Sequence, residues 1–213
     1  RDAAPCAWPP RLAMSARALL IATGNSHKFG EIAAFLEGVP WRLMGLRDFP
    51  PCEAPDENGN SFEANALIKA AAYGERFRVA CVADDSGLEV DALGAAPGVH
   101  SARYAGDGRS DAENNAKLLA EMRNVADDHR GGRFVCCCAL IVPGQSPHVE
   151  LGTIEGHIAR GESGSNGFGY DPLFVPCGHG RSFGELGPAV KAAISHRARA
   201  FRKLRAYLEC GPA

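Results

Sequence analysis

Short apolar runs alternate with helix-periodic segments along the whole chain, and this alternation limits the possible fold more than any other feature. The clearest runs are Ala18–Ala22, Val79–Ala83 and Phe134–Val142, and each is typical of a buried strand. Between them apolar residues recur at helical spacing, as in the segment after Ser110. Because both kinds of element recur from end to end, we predict an α/β fold, with an elongated mixed β-sheet flanked by helices.

Helix-start signals support this assignment. Asn60 with Glu63, and Ser110 with Glu113, each have the spacing of a capping box, so helices are predicted to begin beside them. An amphipathic helix is predicted to close the chain from about Ser195.

Length and composition favour one domain. A chain of 213 residues can bury one substantial core, and no shift in composition marks a boundary. We therefore predict a single domain over residues 18–213. Residues 1–17 are rich in proline and lack periodicity, so we expect an N-terminal extension that is disordered or loosely attached, with Met14 as a candidate native start.

Charge and hydropathy exclude some partners. Lys and Arg total 23 against 25 Asp and Glu, a formal net charge of −2, which argues against a strongly basic nucleic-acid binder. The longest apolar run, Phe134–Val142, has nine residues, whereas a bilayer span needs about 20. We therefore expect neither nucleic acid nor membrane as a partner.

The cysteine pattern indicates a reducing compartment. Eight cysteines include no Cys-x-x-Cys pair, and three of them, Cys136 to Cys138, are consecutive. In a strand, Cys137 must face away from its two neighbours. Buried free thiols are the favoured interpretation, which predicts a cytoplasmic protein.

A polar turn follows the first strand and opens a helix. Free backbone N–H groups at a helix start, together with the helix dipole, attract anions. This turn is therefore a candidate phosphate site, although an ordinary N-capping turn with a solvated lysine explains the same residues. Its members are Thr23, Gly24, Asn25, Ser26, His27 and Lys28.

An acidic segment follows the strand over residues 79–83, and we expect the strand to end there. Adjacent Asp84 and Asp85, with Glu57 in the preceding loop, form an oxygen-rich set suited to Mg²⁺. A simple Asp-Asp-Ser-Gly turn is the alternative.

The last third of the chain, loop-rich over residues 161–187, carries a candidate site for a nucleotide base. Aromatic residues on a loop suit stacking on a base, and an acid can accept hydrogen bonds from ring N–H groups. An aromatic plug over the core and a solvated helix face are the alternatives. The residues concerned are Phe168, Gly169, Tyr170 and Asp171, and then Lys191, His196 and Arg197.

Together these segments resemble the inosine triphosphate pyrophosphatase family, over about residues 18–208. The motifs occur in the family's order. They are Thr23-Gly24-Asn25-x-x-Lys28, Ser61-Phe62-x-x-Asn65-Ala66-x-x-Lys69-Ala70, Ala83-Asp84-Asp85-Ser86-Gly87-Leu88, Pro97-Gly98-x-x-Ser101-Ala102-Arg103-Tyr104, Phe168-Gly169-Tyr170-Asp171-Pro172 and Lys191-x-x-x-Ser195-His196-Arg197.

The resemblance implies two lobes with an active-site cleft between them, a homodimer, and Mg²⁺-dependent hydrolysis of ITP, dITP and XTP to a nucleoside monophosphate and pyrophosphate. It implies that Asp85 accepts the proton of the attacking water and that Glu57, Asp85 and Asp84 form the metal site. The substrate-binding residues implied are Thr23, Gly24, Asn25, Ser26, His27, Lys28, Lys69, Ser86, Phe168, Gly169, Tyr170, Asp171, Lys191, His196 and Arg197.

Base selectivity has a candidate cause. Inosine and xanthosine carry a carbonyl at C6, and a donor such as Arg197 or protonated His196 is expected to pair with it and to disfavour adenine. Two other functions stay open at this point: a general nucleoside triphosphatase that releases orthophosphate, and a nucleotide-binding protein without catalysis.

Overall fold

A computed structural model describes residues 17–210. Of the extension predicted at 1–17, residues 1–16 lie outside the described part, and Arg17 is the first residue of β1. The strands are β1 (Arg17–Ile21), β2 (Trp41–Gly45), β3 (Ala80–Val90), β4 (Gly131–Ile141), β5 (His148–Ile158) and β6 (Phe174–Pro176). The helices are α1 (Ser26–Phe35), α2 (Phe62–Phe77), α3 (Asp111–Glu121), α4 (Pro188–Ile194) and α5 (His196–Cys210).

The strands form one six-stranded sheet in the order β2-β1-β3-β4-β5-β6. β1 runs parallel to both β2 and β3, whereas β3, β4, β5 and β6 pair antiparallel. The prediction of a mixed α/β sheet is therefore confirmed.

The core divides along the three long strands β3, β4 and β5. At one end, one cluster packs Leu19, Val82 and Leu140 against Phe201 of α5. A separate cluster at this end includes Ala70 and packs α2 against the sheet. At the other end, a cluster that includes Leu88, Phe134, Leu118 and Phe174 joins the strands to α3 and to the segment around β6. The two ends correspond to two lobes that share the same strands.

β3 differs from its prediction, because it does not end at Ala83. It continues through the acidic residues to Val90, in register with β4, and its last residues Leu88 and Val90 are fully buried. Gly87 makes this course possible, since a Cβ there would lie 2.3 Å from the Ser101 Oγ. Apolar residues beyond the acids thus extend the strand across both lobes.

Two helix starts test the capping predictions. Ser110 and Glu113 form the predicted capping box of α3. The predicted box at Asn60 is wrong by one residue, because the Ser61 side chain caps α2 by accepting a hydrogen bond from the Ala64 N–H at 3.1 Å. The loop-rich segment 161–187 holds the short strand β6.

The cysteines agree in part with the prediction. Cys136 and Cys138 lie in one core cluster, and Cys137 lies in another on the opposite face. These three and Cys81 are buried free thiols, but Cys52, Cys177 and Cys210 are exposed. Within residues 17–210, no helix is long and apolar enough to cross a membrane.

Candidate active site

A cavity of about 390 Å³ opens beside β3, at the carboxyl end of β1. Ligands in α/β sheets usually bind at such strand ends. β1 pairs with β3 only as far as Val82, and both Asp85 and Ser86, from opposite faces of β3, line the cavity beyond that point. The predicted site residues that line it are Thr23, Gly24, Asn25, Lys28, Glu57, Lys69, Asp85, Ser86, Phe168, Gly169, Tyr170, Asp171, Lys191, His196 and Arg197.

The turn after β1 is both a helix cap and a cavity wall. The Asn25 Oδ1 accepts hydrogen bonds from the N–H groups of His27 and Lys28, at 2.9 and 3.1 Å, which starts α1. The Thr23 Oγ1 accepts one from the Asn25 N–H at 3.2 Å. Ser26 and His27 do not line the cavity, but the His27 ring stacks on Phe168 with centroids 5.6 Å apart.

Asp84 and Asp85 have different surroundings because adjacent strand residues face opposite sides. Asp84 is buried away from the cavity lining, and its Oδ2 lies 3.3 Å from both the Lys28 Nζ and the Arg197 Nη2. Burial by itself favours the neutral acid, but these two cations hold the pKa of Asp84 well below its usual range. Asp84 is therefore a permanently ionised partner for the two cations.

Asp85 faces the cavity. Its Oδ2 accepts a hydrogen bond from the Asn65 Nδ2 at 3.0 Å, and its Oδ1 accepts one from the Ser86 N–H at 3.0 Å. Burial raises the pKa of Asp85 above its ordinary value, against the lowering effect of Asn65 and Lys69. A carboxylate with a raised pKa is a better proton acceptor at neutral pH.

Lys69 connects the acidic residues. Its Nζ lies 2.7 Å from the Glu57 Oε2 and donates to the backbone oxygen of Asp84 at 3.0 Å. Asn65, one turn earlier on α2, also accepts a hydrogen bond from the Gly59 N–H at 2.8 Å. α2 therefore holds the loop that carries Glu57 beside Asp85.

The donor set fits a magnesium ion. Glu57 and Asp85 present carboxylate oxygens to the same cavity. Mg²⁺ is usually held by one or two carboxylates and substrate phosphates, and it keeps several waters. Among residues 17–210, no cluster of three or more acidic, His or Cys side chains forms a complete protein cage. Glu57 and Asp85 are thus of the type and number that a protein commonly supplies to Mg²⁺.

The aromatic loop, residues Phe168–Asp171, follows β5 and forms the other wall of the cavity. The Asp171 Oδ2 lies 2.6 Å from the Lys191 Nζ and accepts a hydrogen bond from the Phe168 N–H at 2.9 Å. The Lys191 Nζ also lies 4.4 Å from the centre of the Phe168 ring. The Tyr170 hydroxyl donates to the Ser101 carbonyl at 2.8 Å, so Tyr170 also anchors this loop in the core.

His196 and Arg197 close the wall from the start of α5. His196 stacks on Phe134, with centroids 4.7 Å apart, and its buried Nδ1 has no hydrogen-bond partner among the described residues. Burial, followed by the nearby cations Arg197 and Lys191, lowers the pKa of His196 well below its ordinary value. The protonated form suggested from sequence is thus disfavoured, and the neutral imidazole is the form to expect.

Arg197 is also less available than the sequence suggested. Its Nη2 donates to the Ser86 Oγ at 2.8 Å, and its Nη1 lies 2.6 Å from the Glu31 Oε2. The other carboxylate oxygen of Glu31 lies 3.2 Å from the Lys191 Nζ. Arg197 therefore lines the cavity as a fixed cation rather than as a donor free to swing.

Sequence reasoning missed several residues of this site. Asn65 and Ser101 lie within quoted motifs but received no role. Glu31 stands just after the first motif, and its ion pairs depend on α4 and α5. Tyr73, Asp111 and Asn114 line the cavity without any motif to mark them.

Comparison with known proteins supports the resemblance. The Ham1 family model matches residues 19–207. A dITP/XTP pyrophosphatase of Nocardia farcinica is 48% identical over 90% of this chain and 94% of its own, and one of Geobacter sulfurreducens is 45% identical over 89% and 96%.

Solved structures agree. The Ham1 protein of Staphylococcus aureus superposes with a TM-score of 0.84 at 36% identity, covering 92% of this chain and all of its own. A nucleoside-triphosphatase / dITP/XTP pyrophosphatase of Mycobacterium abscessus gives a TM-score of 0.74 at 48% identity, covering 88% and 98%. By its sequence and its fold, this chain belongs to the Ham1 family.

Proposed function

We propose that this protein hydrolyses the non-standard purine nucleoside triphosphates dITP, ITP and XTP to the nucleoside monophosphate and pyrophosphate, and so cleanses the nucleotide pool. One observation carries the proposal: a single cavity joins a cationic turn, two carboxylates and an aromatic loop. Those groups match the phosphates, the metal and the base of one nucleotide. The relatives named dITP/XTP pyrophosphatase support the same substrate class.

In this proposal the turn after β1 binds the triphosphate. The Thr23 hydroxyl and the Asn25 side-chain amide group supply donors, and Lys28 and Lys69 supply positive charge. Lys28 is ion-paired to Asp84, so its ammonium is already oriented before substrate arrives. Ser86 adds a hydroxyl at the same wall.

Glu57 and Asp85 are the residues that would hold Mg²⁺. When bound, the ion would neutralise phosphate charge and orient water. The family resemblance implies that Asp84 also belongs to the metal site. Its ion pairs with Lys28 and Arg197 favour a different role, which is to hold these two cations in place. Asp85 accepts the proton of the attacking water, while a hydrogen bond from Asn65 fixes its carboxylate.

The base is held at the opposite wall. Phe168 offers an aromatic face, and Asp171, Lys191, His196 and Arg197 surround it. A neutral imidazole has one N–H donor and one acceptor nitrogen. With its N–H directed at the base, His196 would pair with a C6 carbonyl and not with the amino group of adenine. A site that leaves a buried polar group unpaired discriminates strongly against the wrong base.

We also propose a homodimer that works in the cytoplasm with Mg²⁺ as its cofactor. The dimer and the compartment rest on the family resemblance and on the free thiols. Light scattering tests the dimer, which would have twice the chain mass of 22.5 kDa.

The test is a substrate panel of dITP, ITP, XTP, GTP and ATP with Mg²⁺, resolving pyrophosphate from orthophosphate. We expect pyrophosphate from the first three. For Asp85→Asn we expect turnover to fall at least about 100-fold, since general base catalysis contributes about 10²–10⁴-fold, with an unchanged melting temperature.

The alternatives give different results in the same assay. Orthophosphate without pyrophosphate would identify a general nucleoside triphosphatase. Tight nucleotide binding without any product would identify a binding protein. Full turnover by the Asp85→Asn enzyme would remove Asp85 from the mechanism.

A further inference from the structure

Among the described residues, the hydrogen bonds between α3 and the aromatic loop are both made by Gly169, one on each side of its Cα. The Gly169 N–H donates to the Asp111 Oδ2 at 2.7 Å. The Gly169 carbonyl accepts a hydrogen bond from the Asn115 Nδ2 at 3.2 Å. These two groups belong to the peptide units on either side of the Gly169 Cα. Together they set the direction of the chain from Phe168 into Tyr170.

The two partners suit this task because they stand one helical turn apart. Residues at i and i+4 share a face of a helix, so Asp111 and Asn115 present a carboxylate and an amide to the same point. Asn115 is buried, at 2% exposure, whereas Asp111 lines the cavity and is reached by solvent. One contact is therefore structural in character, and the other lies at the site itself.

α3 is a rigid support for this grip. Its first turn is closed by the capping box of Ser110 and Glu113, and Leu118 on its apolar face is fully buried. Gly169 itself has φ +62, a left-handed conformation that other residues rarely adopt. Glycine also has the greatest conformational freedom, so hydrogen bonds to both of its peptide units restrict the loop where it could otherwise vary most.

We propose that Asp111 and Asn115 are positioning residues that align the aromatic loop for the purine base. They act through Gly169 on Phe168 and Tyr170. The inference rests on the proposed function and deepens it, because it assigns base recognition to a helix outside the recognised motifs. It predicts that their loss weakens binding of the base and leaves binding of the phosphates intact.

The experiment compares Asp111→Ala with Asp111→Asn, in dITP kinetics and in inhibition by inorganic tripolyphosphate, which has phosphates but no base. For Asp111→Ala we expect KM for dITP to rise about tenfold, the lower end for loss of a hydrogen bond to a charged group. We expect kcat to change less than KM, and the tripolyphosphate inhibition constant to stay constant. Asp111→Asn keeps an acceptor oxygen, so its KM for dITP should lie close to the wild-type value.

Two further variants complete the design. Asn115→Ala should also raise the KM for dITP and leave the tripolyphosphate inhibition constant unchanged. In the double variant the KM should rise by less than the product of the two single increases, because both residues hold Gly169. Asp127→Ala is the matched control, since Asp127 is an exposed aspartate that pairs with Arg160 outside the cavity lining. Asp127→Ala should leave kcat, the KM for dITP and the tripolyphosphate inhibition constant unchanged.

Each outcome decides the matter. An unchanged KM for Asp111→Ala overturns the inference, and so does an equal rise in KM and in the tripolyphosphate constant, which would mark a general structural role. If the wild-type protein turns over no nucleotide, the proposed function fails. The inference is then judged by calorimetric titration of the same variants with dITP and tripolyphosphate, where loss of dITP binding alone supports it and equal binding overturns it.

Discussion

His196 is a buried titratable side chain that packs against an aromatic ring and pairs with no acid among residues 17–210. Its ring stacks on Phe134, and the nearest charges that act on its pKa include two cations, Arg197 and Lys191. Burial and these cations both favour the neutral ring. A histidine so placed makes the folded state sensitive to acid.

The stability of the protein should therefore fall below neutral pH in a way that depends on His196. Its pKa is lowered in the folded state from an ordinary 6.5, so below that value the unfolded chain takes up a proton that the folded chain does not. One such group lowers the free energy of unfolding by up to about 1.4 kcal/mol per pH unit, and it has no effect well above pH 6.5.

Urea unfolding of wild type and His196→Asn, from pH 7.5 to 5, measures this effect. The asparagine cannot titrate, so the difference in unfolding free energy between the two proteins should narrow as the pH falls. A constant difference across this range would contradict the assignment.

At the scale of elements, α5 organises its neighbours through basic side chains that bind backbone oxygens. Arg202 donates to the carbonyls of Ala192 and Ala193 at the end of α4, at 2.9 and 2.8 Å. Arg199 and Lys203 donate to carbonyls of β5. Cations at a helix C-terminus are favourable because its last carbonyls lack partners. α4, which carries Lys191, is thus tied to the helix that carries Arg197.

The contact between α5 and β5 depends on a glycine. A Cβ at Gly152 would lie 2.2 Å from the His196 carbonyl oxygen and 2.4 Å from the Ala200 nitrogen. Gly152→Ala must push α5 away, so we expect a loss of about 1–3 kcal/mol in the free energy of unfolding and a higher KM for dITP. Chemical denaturation and kinetics measure the two effects.

Gly30→Ala is the control for that substitution. Gly30 lies inside α1, and nothing lies within 4 Å of a Cβ built there. Alanine should therefore stabilise the protein by about 0.5–1 kcal/mol, the usual gain within a helix. If both variants were equally stable, close packing at Gly152 would not be the cause.

Across the whole molecule, charged residues of alternating sign link the two walls of the cavity. From the aromatic loop to the turn after β1, the order is Asp171, Lys191, Glu31, Arg197, Asp84 and Lys28, each ion-paired to the next at 2.6–3.3 Å. The positive and negative charges in this series of ion pairs cancel, which agrees with a net charge of only −2 for the protein. The site can therefore contain several cations without making the protein basic.

Asp84 is the least exposed acid in this series of ion pairs, so its removal should lower the free energy of unfolding the most. Asp84→Asn leaves Lys28 and Arg197 without their shared carboxylate. Breaking a buried ion pair costs about 3–5 kcal/mol, and we expect a loss near the lower value in chemical denaturation. Asp127→Asn, at an exposed ion pair, should change the unfolding free energy by no more than about 0.5 kcal/mol. Equal effects at the two sites would refute this role for Asp84.

The sequence by itself determined the fold class, the Ser110 cap, most of the cavity wall and the order of the elements as far as β5, because periodicity, capping and motifs are local signals. It did not show β6 or α4, which are short. It could not determine that β3 continues past Ala83, since that depends on Leu88 and Val90 finding a core formed with β4 and α3. Tertiary structure alone decided the separate surroundings of Asp84 and Asp85. Their side chains face opposite sides of one strand, and what lies on each side comes from distant parts of the chain: Lys28 and Arg197 for one, Asn65 for the other.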